Sequence, residues 1–151
     1  MEKEFIASIS KLIERDLTKL EEEIKLYPSE ESIWKVGGEI KNCGGNLCLH
    51  LCGNLQHFIG AILGKTGYVR NRDFEFAAKG ITKTELVSEI QKTKHAVKSS
   101  LEKLDTTLLT QEYPTKVFDY SMTTAHFLIH LTTHLGYHLG QVNYHRRLLT
   151  A

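Results

Sequence analysis

The chain has 151 residues, which suits one domain with a real hydrophobic core and leaves little room for two. Charged residues make up 25% of it and the formal net charge is +1, so composition does not indicate binding to nucleic acid, membranes or polyanions. The N-terminus, MEKEFIASISKLIERDL, lacks the apolar run of a signal peptide or membrane span, and we expect a cytoplasmic protein.

The first predicted helix runs from Glu2 to about Leu26, because apolar residues recur at helical spacing with charges between them and Pro28 follows. Its apolar face consists of Phe5, Ile9, Leu12, Ile13, Leu17, Leu20 and Ile24.

A connection that contains the Gly37–Gly38 pair leads to a second predicted helix, from about Cys43 to Leu63. This helix is apolar on most sides, as expected for a segment buried deep in a bundle, and Gly64 ends it. The three cysteines are packed into ten residues, and their odd number predicts free thiols in a reducing compartment rather than a disulfide framework. They are Cys43, Cys48 and Cys52.

The stretch from Lys65 to Gly80 mixes charged and aromatic residues without a clear period, and we predict a long crossover there. Thr82 and Glu85 form a capping box that starts the third helix. The fourth predicted helix runs from about Thr123 to Leu149. The sequence therefore predicts an all-α fold, a four-helix bundle with a long crossover connection, in a single domain over residues 1–151.

Histidines are the compositional oddity, because the chain has eight and five of them fall between His126 and His145. On the fourth helix, His134 and His138 lie on the seam that would face the other helices, one imidazole above the other. His50 lies on an equivalent stripe of the second helix and could face this pair. The seam comprises Phe127, Leu131, His134, His138, Gln141 and His145, and the stripe comprises Cys43, Leu47, His50, Asn54 and His57.

A second interpretation of these histidines stays open. A buried histidine usually shares its ring proton with a carbonyl or carboxylate and helps to specify the core. Three buried histidines would need a hydrogen-bond partner for every ring nitrogen, because an unpaired buried polar group costs about 1 to 3 kcal/mol. One cation would instead use three acceptor nitrogens at once. His130 forms a competing pair with His134, but it lies off the seam with His126, and we predict a flank or surface position for both.

A mononuclear site fits the sequence better than a di-iron site. Glu-x-x-His does not occur and no Asp or Glu follows Asp119, so the carboxylate-rich site of ferritin-like bundles is a poor match. Three protein ligands would leave the coordination shell open to water or substrate. Imidazoles suit zinc, nickel, copper or iron, so the sequence does not identify the metal. Cys48 and Cys52 are interpreted as packing residues rather than extra ligands.

Three segments resemble the DinB-like superfamily of damage-inducible proteins over nearly the whole chain: NLCLHLCGN, RNRDFEF and HLGYHLGQVNYHRR. The resemblance implies a first metal histidine at His50 and an HxxxH pair, followed by Gly-Gln, at His134, His138, Gly140 and Gln141. It also implies a four-helix bundle that is usually homodimeric and binds one divalent metal ion, with zinc or nickel favoured over iron or another ion.

Some members of the superfamily that the chain resembles are thiol S-transferases that use bacillithiol, mycothiol or glutathione, and others act in maleylpyruvate isomerisation. We therefore expect a metal-dependent transferase that activates a low-molecular-weight thiol for attack on an electrophile. The chain is similar to the branch with the RNRDxEF crossover. Two alternatives are a noncatalytic metal-binding stress-response module and a metal-dependent hydrolase, although no carboxylate base for a hydrolase is evident near the site.

Four more residues are predicted around the site. Asn54 and Gln141, one turn from the ligands, could orient a ligand or the substrate, or could merely satisfy backbone groups. Arg70 and Arg72 could bind a carboxylate of the thiol cofactor, unless they are solvated or paired with Asp73. We expect a small-molecule substrate and no nucleic-acid or membrane partner.

Overall fold

The computed structural model describes residues 1–149, so the last two residues of the predicted domain lie outside the described part. Within it there is no β-strand, only two isolated bridges, Gly37 with Ile40 and Glu112 with Thr123. The prediction of an all-α fold is therefore confirmed. The α-helices are α1 (Glu2–Leu26), α2 (Gly44–Leu55), α3 (Arg72–Ala77), α4 (Lys83–Glu102) and α5 (Thr124–Leu149). Two 3₁₀ turns, Glu31–Trp34 and Thr106–Thr110, and a π-helix, Gln56–Leu63, complete the helical structure.

Helices α1 and α5 agree with their predictions to within a residue at both ends, and α4 begins directly after its predicted cap, Thr82. The second predicted helix differs, because α-helical geometry ends at Leu55 and the chain continues as the π-helix. The amide of Gly64 accordingly donates to the carbonyl of Ile59, five residues back, at 2.9 Å. The crossover also differs from its prediction, since it contains the short helix α3, whose N-cap Asn71 accepts a hydrogen bond from the amide of Phe74.

Among the four longer helices, α1 lies against α4 and α5, and α2 lies against the same two helices. At one end of the molecule, Gly44 at the start of α2 lies beside Tyr27, which follows α1, and beside His145 near the end of α5. Lys83 at the start of α4 donates to the carbonyl of Tyr27 at that same end. Helices α2 and α4 are therefore parallel, and the chain between them must return along the whole length of α2.

The hydrophobic core lies between these helices and is made mainly of aliphatic side chains. Among the described residues, no helix has the length and the apolarity that a membrane crossing requires. The largest fully buried side chains are Tyr27, Phe127, Ile13, Leu17, Leu20, Ile24, Ile33, Leu51, Leu55, Ile59, Leu86 and Ile90.

The capping box of α4 is formed as predicted, because the Thr82 hydroxyl accepts from the Glu85 amide and the Glu85 carboxylate accepts from the Thr82 amide. We expect Thr82→Ala to lower the free energy of unfolding by about 0.5 to 2 kcal/mol, the usual effect of losing an N-cap. Urea denaturation measures it. Thr84→Ala, an exposed substitution in the first turn of the same helix, is the control, and equal stability of the two variants would contradict the capping role.

Candidate metal centre

Three imidazoles from two helices meet at one point in the structure. His50 comes from α2, and His134 and His138 come from successive turns of α5. One ring nitrogen from each lies within 4.8 Å of the others, and Nε2 of His50 is 3.2 Å from Nε2 of His134. His50 is buried, whereas the other two are half-buried. The structure thus brings together the three histidines that the seam argument and the resemblance both selected.

Behind His50 lies a carboxylate from the crossover. Oε1 of Glu75, on α3, is 3.2 Å from Nδ1 of His50. The Arg70 guanidinium donates to both oxygens of this carboxylate, Nε to Oε2 and Nη2 to Oε1, each at 2.9 Å. The side chains of Glu75 and Arg70 are only 5% and 12% exposed, so this forked ion pair is shielded from water and from salt screening.

The contact with Glu75 determines which nitrogen of His50 carries the proton. Arg70 Nη2 also lies 3.3 Å from Nδ1, but it already donates to Glu75, and an unprotonated Nδ1 would turn its lone pair toward the carboxylate. An ionised carboxylate can only accept, so the favourable arrangement is Nδ1–H of His50 donating to Glu75. Nε2 is then an unprotonated acceptor that faces α5.

Gly53 makes room for this contact. A Cβ atom at Gly53 would lie 1.9 Å from Oε2 and 2.6 Å from Cδ of Glu75, closer than non-bonded atoms approach. On the crossover, the Asn71 cap starts α3 so that Glu75 reaches α2, and Phe76 packs its ring 4.9 Å from the ring of His50. The short helix therefore supplies both a hydrogen-bond acceptor and an apolar cover for His50.

The two α5 histidines differ in their outer contacts. His138 has its Nδ1 2.6 Å from the side-chain oxygen of Gln141, so Nδ1–H donates there and Nε2 is left as an acceptor. His134 has a buried Nδ1 without a hydrogen-bond partner in the described structure. Its ring is held by neighbouring rings instead, with His138 at 4.5 Å and His130 at 6.2 Å between centroids.

The surroundings favour the neutral form of the two α5 imidazoles. Burial, together with the nearby His138 and His50, lowers the pKa of His134 to about 4. Burial also lowers the pKa of His138, although its hydrogen bond with Gln141 partly opposes the shift. Burial alone would raise the pKa of Glu75, but hydrogen bonds from His50 and Arg70 outweigh it and the pKa is lowered. At neutral pH His134 and His138 are thus neutral rings, and Glu75 is an ionised carboxylate.

This donor set fits a divalent cation. Two nitrogens bound at about 2.0–2.1 Å to one tetrahedral ion lie about 3.3 Å apart, close to the 3.2 Å between His50 and His134. The outer contacts of His50 and His138 leave their Nε2 lone pairs unprotonated, as metal ligands must be. The cluster of His50, His134 and His138 could therefore hold a metal ion.

A family model described as protein of unknown function, DUF1572, matches residues 1–151. The chain belongs to the DUF1572 family. No curated protein matches it, and no solved structure matches it either.

Of the other predicted site residues in this DUF1572 member, Gln141 contacts His138, and the roles predicted for Asn54, Arg70 and Arg72 stay predictions. Asn54 is buried and its Oδ1 has no hydrogen-bond partner in the described structure. Arg70 pairs with Glu75 through Nε and Nη2. Arg72 is exposed, with its guanidinium carbon 5.2 Å from the centre of the Phe76 ring. His126 is exposed and His130 half-buried, as predicted.

The prediction from sequence missed Glu75 and Gly53. It found no carboxylate near the site, yet Glu75 touches His50. One signal was present: Asn71 is a good N-cap, and a helix starting there places Glu75 in its first turns, five residues after Arg70. The close approach of Gly53 has no signature in the sequence, because it depends on packing between segments that are distant along the chain.

The Gly53 contact predicts opposite effects for two Gly→Ala substitutions in helix interiors. Gly140→Ala, where an added Cβ meets nothing within 4 Å, should raise the free energy of unfolding by about 0.5–1 kcal/mol. Gly53→Ala should lower it by about 1 to 3 kcal/mol, because Glu75 must move out of its buried contacts. Urea denaturation with a chelator present compares them, and a Gly53→Ala variant as stable as Gly140→Ala would refute the close contact.

Proposed function

We propose that this protein is a mononuclear metal-dependent transferase, in which His50, His134 and His138 bind one divalent ion and a low-molecular-weight thiol is activated beside it. The single observation that supports this proposal most is the convergence of the three imidazoles, two of them with outer hydrogen bonds that leave Nε2 unprotonated. The sequence resemblance to the DinB-like superfamily supports the same assignment. Zinc or nickel suits such ligands best.

The chemistry follows from three protein ligands and an open position. A divalent ion held there would lower the pKa of a bound thiol from its usual value of about 8.5, so that thiolate is available at neutral pH. The thiol proton leaves to solvent, sulfur forms a bond to the electrophilic carbon, and the leaving group departs with its electron pair. No oxidant or reductant is needed. The residues of the chain hold and orient the reactants: Glu75 and Gln141 fix two imidazoles, and Phe76 covers His50.

A hydrolase is a weaker alternative, because activating water for attack usually needs a nearby general base. Glu75 is the carboxylate in contact with the cluster, but Arg70 occupies both its oxygens, and it lies on the side of His50 that faces away from His134. Thiol activation needs only loss of a proton. A noncatalytic metal-binding module is the other alternative, and the expected homodimer and small-molecule substrate stay predictions.

Metal content tests the site. We expect purified protein to bind about one equivalent of zinc or nickel and His138→Ala to lose affinity at least tenfold, since two imidazoles cannot complete the shell. His126→Ala removes an exposed histidine from the same helix and should retain the metal. Elemental analysis and chelator competition measure both variants. Equal metal content in the wild type and His138→Ala would refute the site.

Turnover tests the reaction. The metal-loaded protein should consume an alkyl halide or epoxide only when a low-molecular-weight thiol is present, and a chelator or His138→Ala should abolish this consumption. The assay compares bacillithiol, mycothiol and glutathione, each with and without metal. Metal binding without turnover for any thiol would favour the noncatalytic alternative, and turnover without thiol would favour the hydrolase.

A further inference from the structure

Arg70 neutralises the negative charge of Glu75, the carboxylate beside the imidazole cluster. Glu75 places a buried carboxylate against His50, and a carboxylate in this position would normally cancel part of the charge of a cation bound nearby. Arg70 covers both carboxylate oxygens with two hydrogen bonds of 2.9 Å and is itself largely buried. The pair is therefore neutral as a unit, and little water enters to screen it.

The helix that supplies the other two imidazoles carries no acid. Helix α5, which supplies His134 and His138, has no Asp or Glu, since none occurs after Asp119 in the sequence. The three imidazoles are neutral ligands. Neither these ligands nor the acid-free helix α5 would therefore reduce the charge of a divalent cation at this cluster, and that charge would act on whatever occupies the open coordination position.

We propose that Arg70 is a specificity-determining residue that selects an anion as the fourth ligand by neutralising Glu75. This inference rests on the proposed metal site and narrows its substrate class to molecules that bind as an anion, such as a thiolate. Arg70 acts through Glu75 and does not itself contact the bound anion. Without Arg70, the carboxylate would still hold His50 but would repel an anionic ligand.

The geometry explains why arginine is required. A guanidinium binds both oxygens of a carboxylate with its planar fork, whereas the ammonium of lysine is a point charge that is more strongly hydrated and costs more to bury. Gly53 allows the carboxylate to approach α2 closely enough for Glu75 to contact His50 and Arg70 together. The Glu75–Arg70 ion pair thus orients His50 without changing the total charge of the site.

The test uses the Co²⁺-loaded full chain, because its visible absorption reports directly on the fourth ligand. Azide is the anionic probe and imidazole is the neutral one. We expect Arg70→Gln to weaken azide binding about tenfold and to leave imidazole binding nearly unchanged, since an uncompensated buried charge acts on the anion alone. Glu75→Gln leaves a buried cation and should strengthen azide binding. Lys65→Gln removes an exposed charge from the same crossover and should change neither affinity.

The double variant Arg70→Gln/Glu75→Gln separates charge from structure. Both side chains are changed, but the pair is again neutral, so azide affinity should return to within about twofold of the wild type. It also replaces an unpaired buried charge with two amides, which keeps the test available if Arg70→Gln alone does not fold. A double variant that binds azide as weakly as Arg70→Gln, or equal losses for azide and imidazole, would overturn the proposal.

These outcomes are distinct from failure of the metal site itself. If the wild type does not bind Co²⁺ with affinity that depends on His138, the proposed metal centre is wrong. If Co²⁺ binds in that way and Arg70→Gln leaves azide affinity unchanged, the metal centre stands and only the role of Arg70 is wrong.

Discussion

The candidate site depends on His50, whose imidazole makes a contact through each of its two ring nitrogens. His50 donates through Nδ1 to Glu75 and presents Nε2 to α5, 3.2 Å from His134. The first contact ties the crossover to α2, and the second joins α2 to α5. Without Glu75, His50 would lose the acceptor that keeps the proton on Nδ1, and its Nε2 would no longer be fixed as an acceptor in the cluster.

The topology of the chain creates this arrangement. Because α2 and α4 run in the same direction, the chain between Leu63 and Lys83 must travel back along α2, a distance of about 30 Å for a helical stretch of some twenty residues. The connection therefore passes over the histidine-bearing part of α2, and the short helix α3 forms there. The same crossover that parallel helices require thus supplies Arg70, Glu75 and Phe76 to the site.

Local patterns in the sequence were sufficient for the long helices and for the three histidines. The apolar spacing of α1 and the capping box of α4 act within a few residues, so their boundaries could be predicted closely. His134 and His138 followed from their spacing on α5, and His50 from the stripe on α2.

The remaining features depend on contacts between distant residues or on segments too short to show a period. Helix α3 has six residues, and the π-helix Gln56–Leu63 differs from an α-helix only by a shift in hydrogen bonding. Glutamate side chains are usually exposed to solvent, so the sequence alone does not predict that Glu75 is buried. It becomes favourable only when Arg70 pairs with it and Gly53 leaves space, and neither condition is visible before the chain is folded.

The bonding needs of the cluster distinguish a cation from a set of ordinary core histidines. With Nδ1–H of His50 committed to Glu75 and Nδ1–H of His138 committed to Gln141, both rings present a bare Nε2. A proton on Nε2 of His134 could be shared with His50 across 3.2 Å, but it cannot also serve His138. Three neutral rings therefore leave two unpaired acceptors, Nε2 of His138 and the buried Nδ1 of His134, whereas a single cation bonds to one nitrogen of each ring. The hydrogen bonds to Glu75 and Gln141 thus favour a bound cation, because protons shared among the three rings would leave some ring nitrogens without a partner.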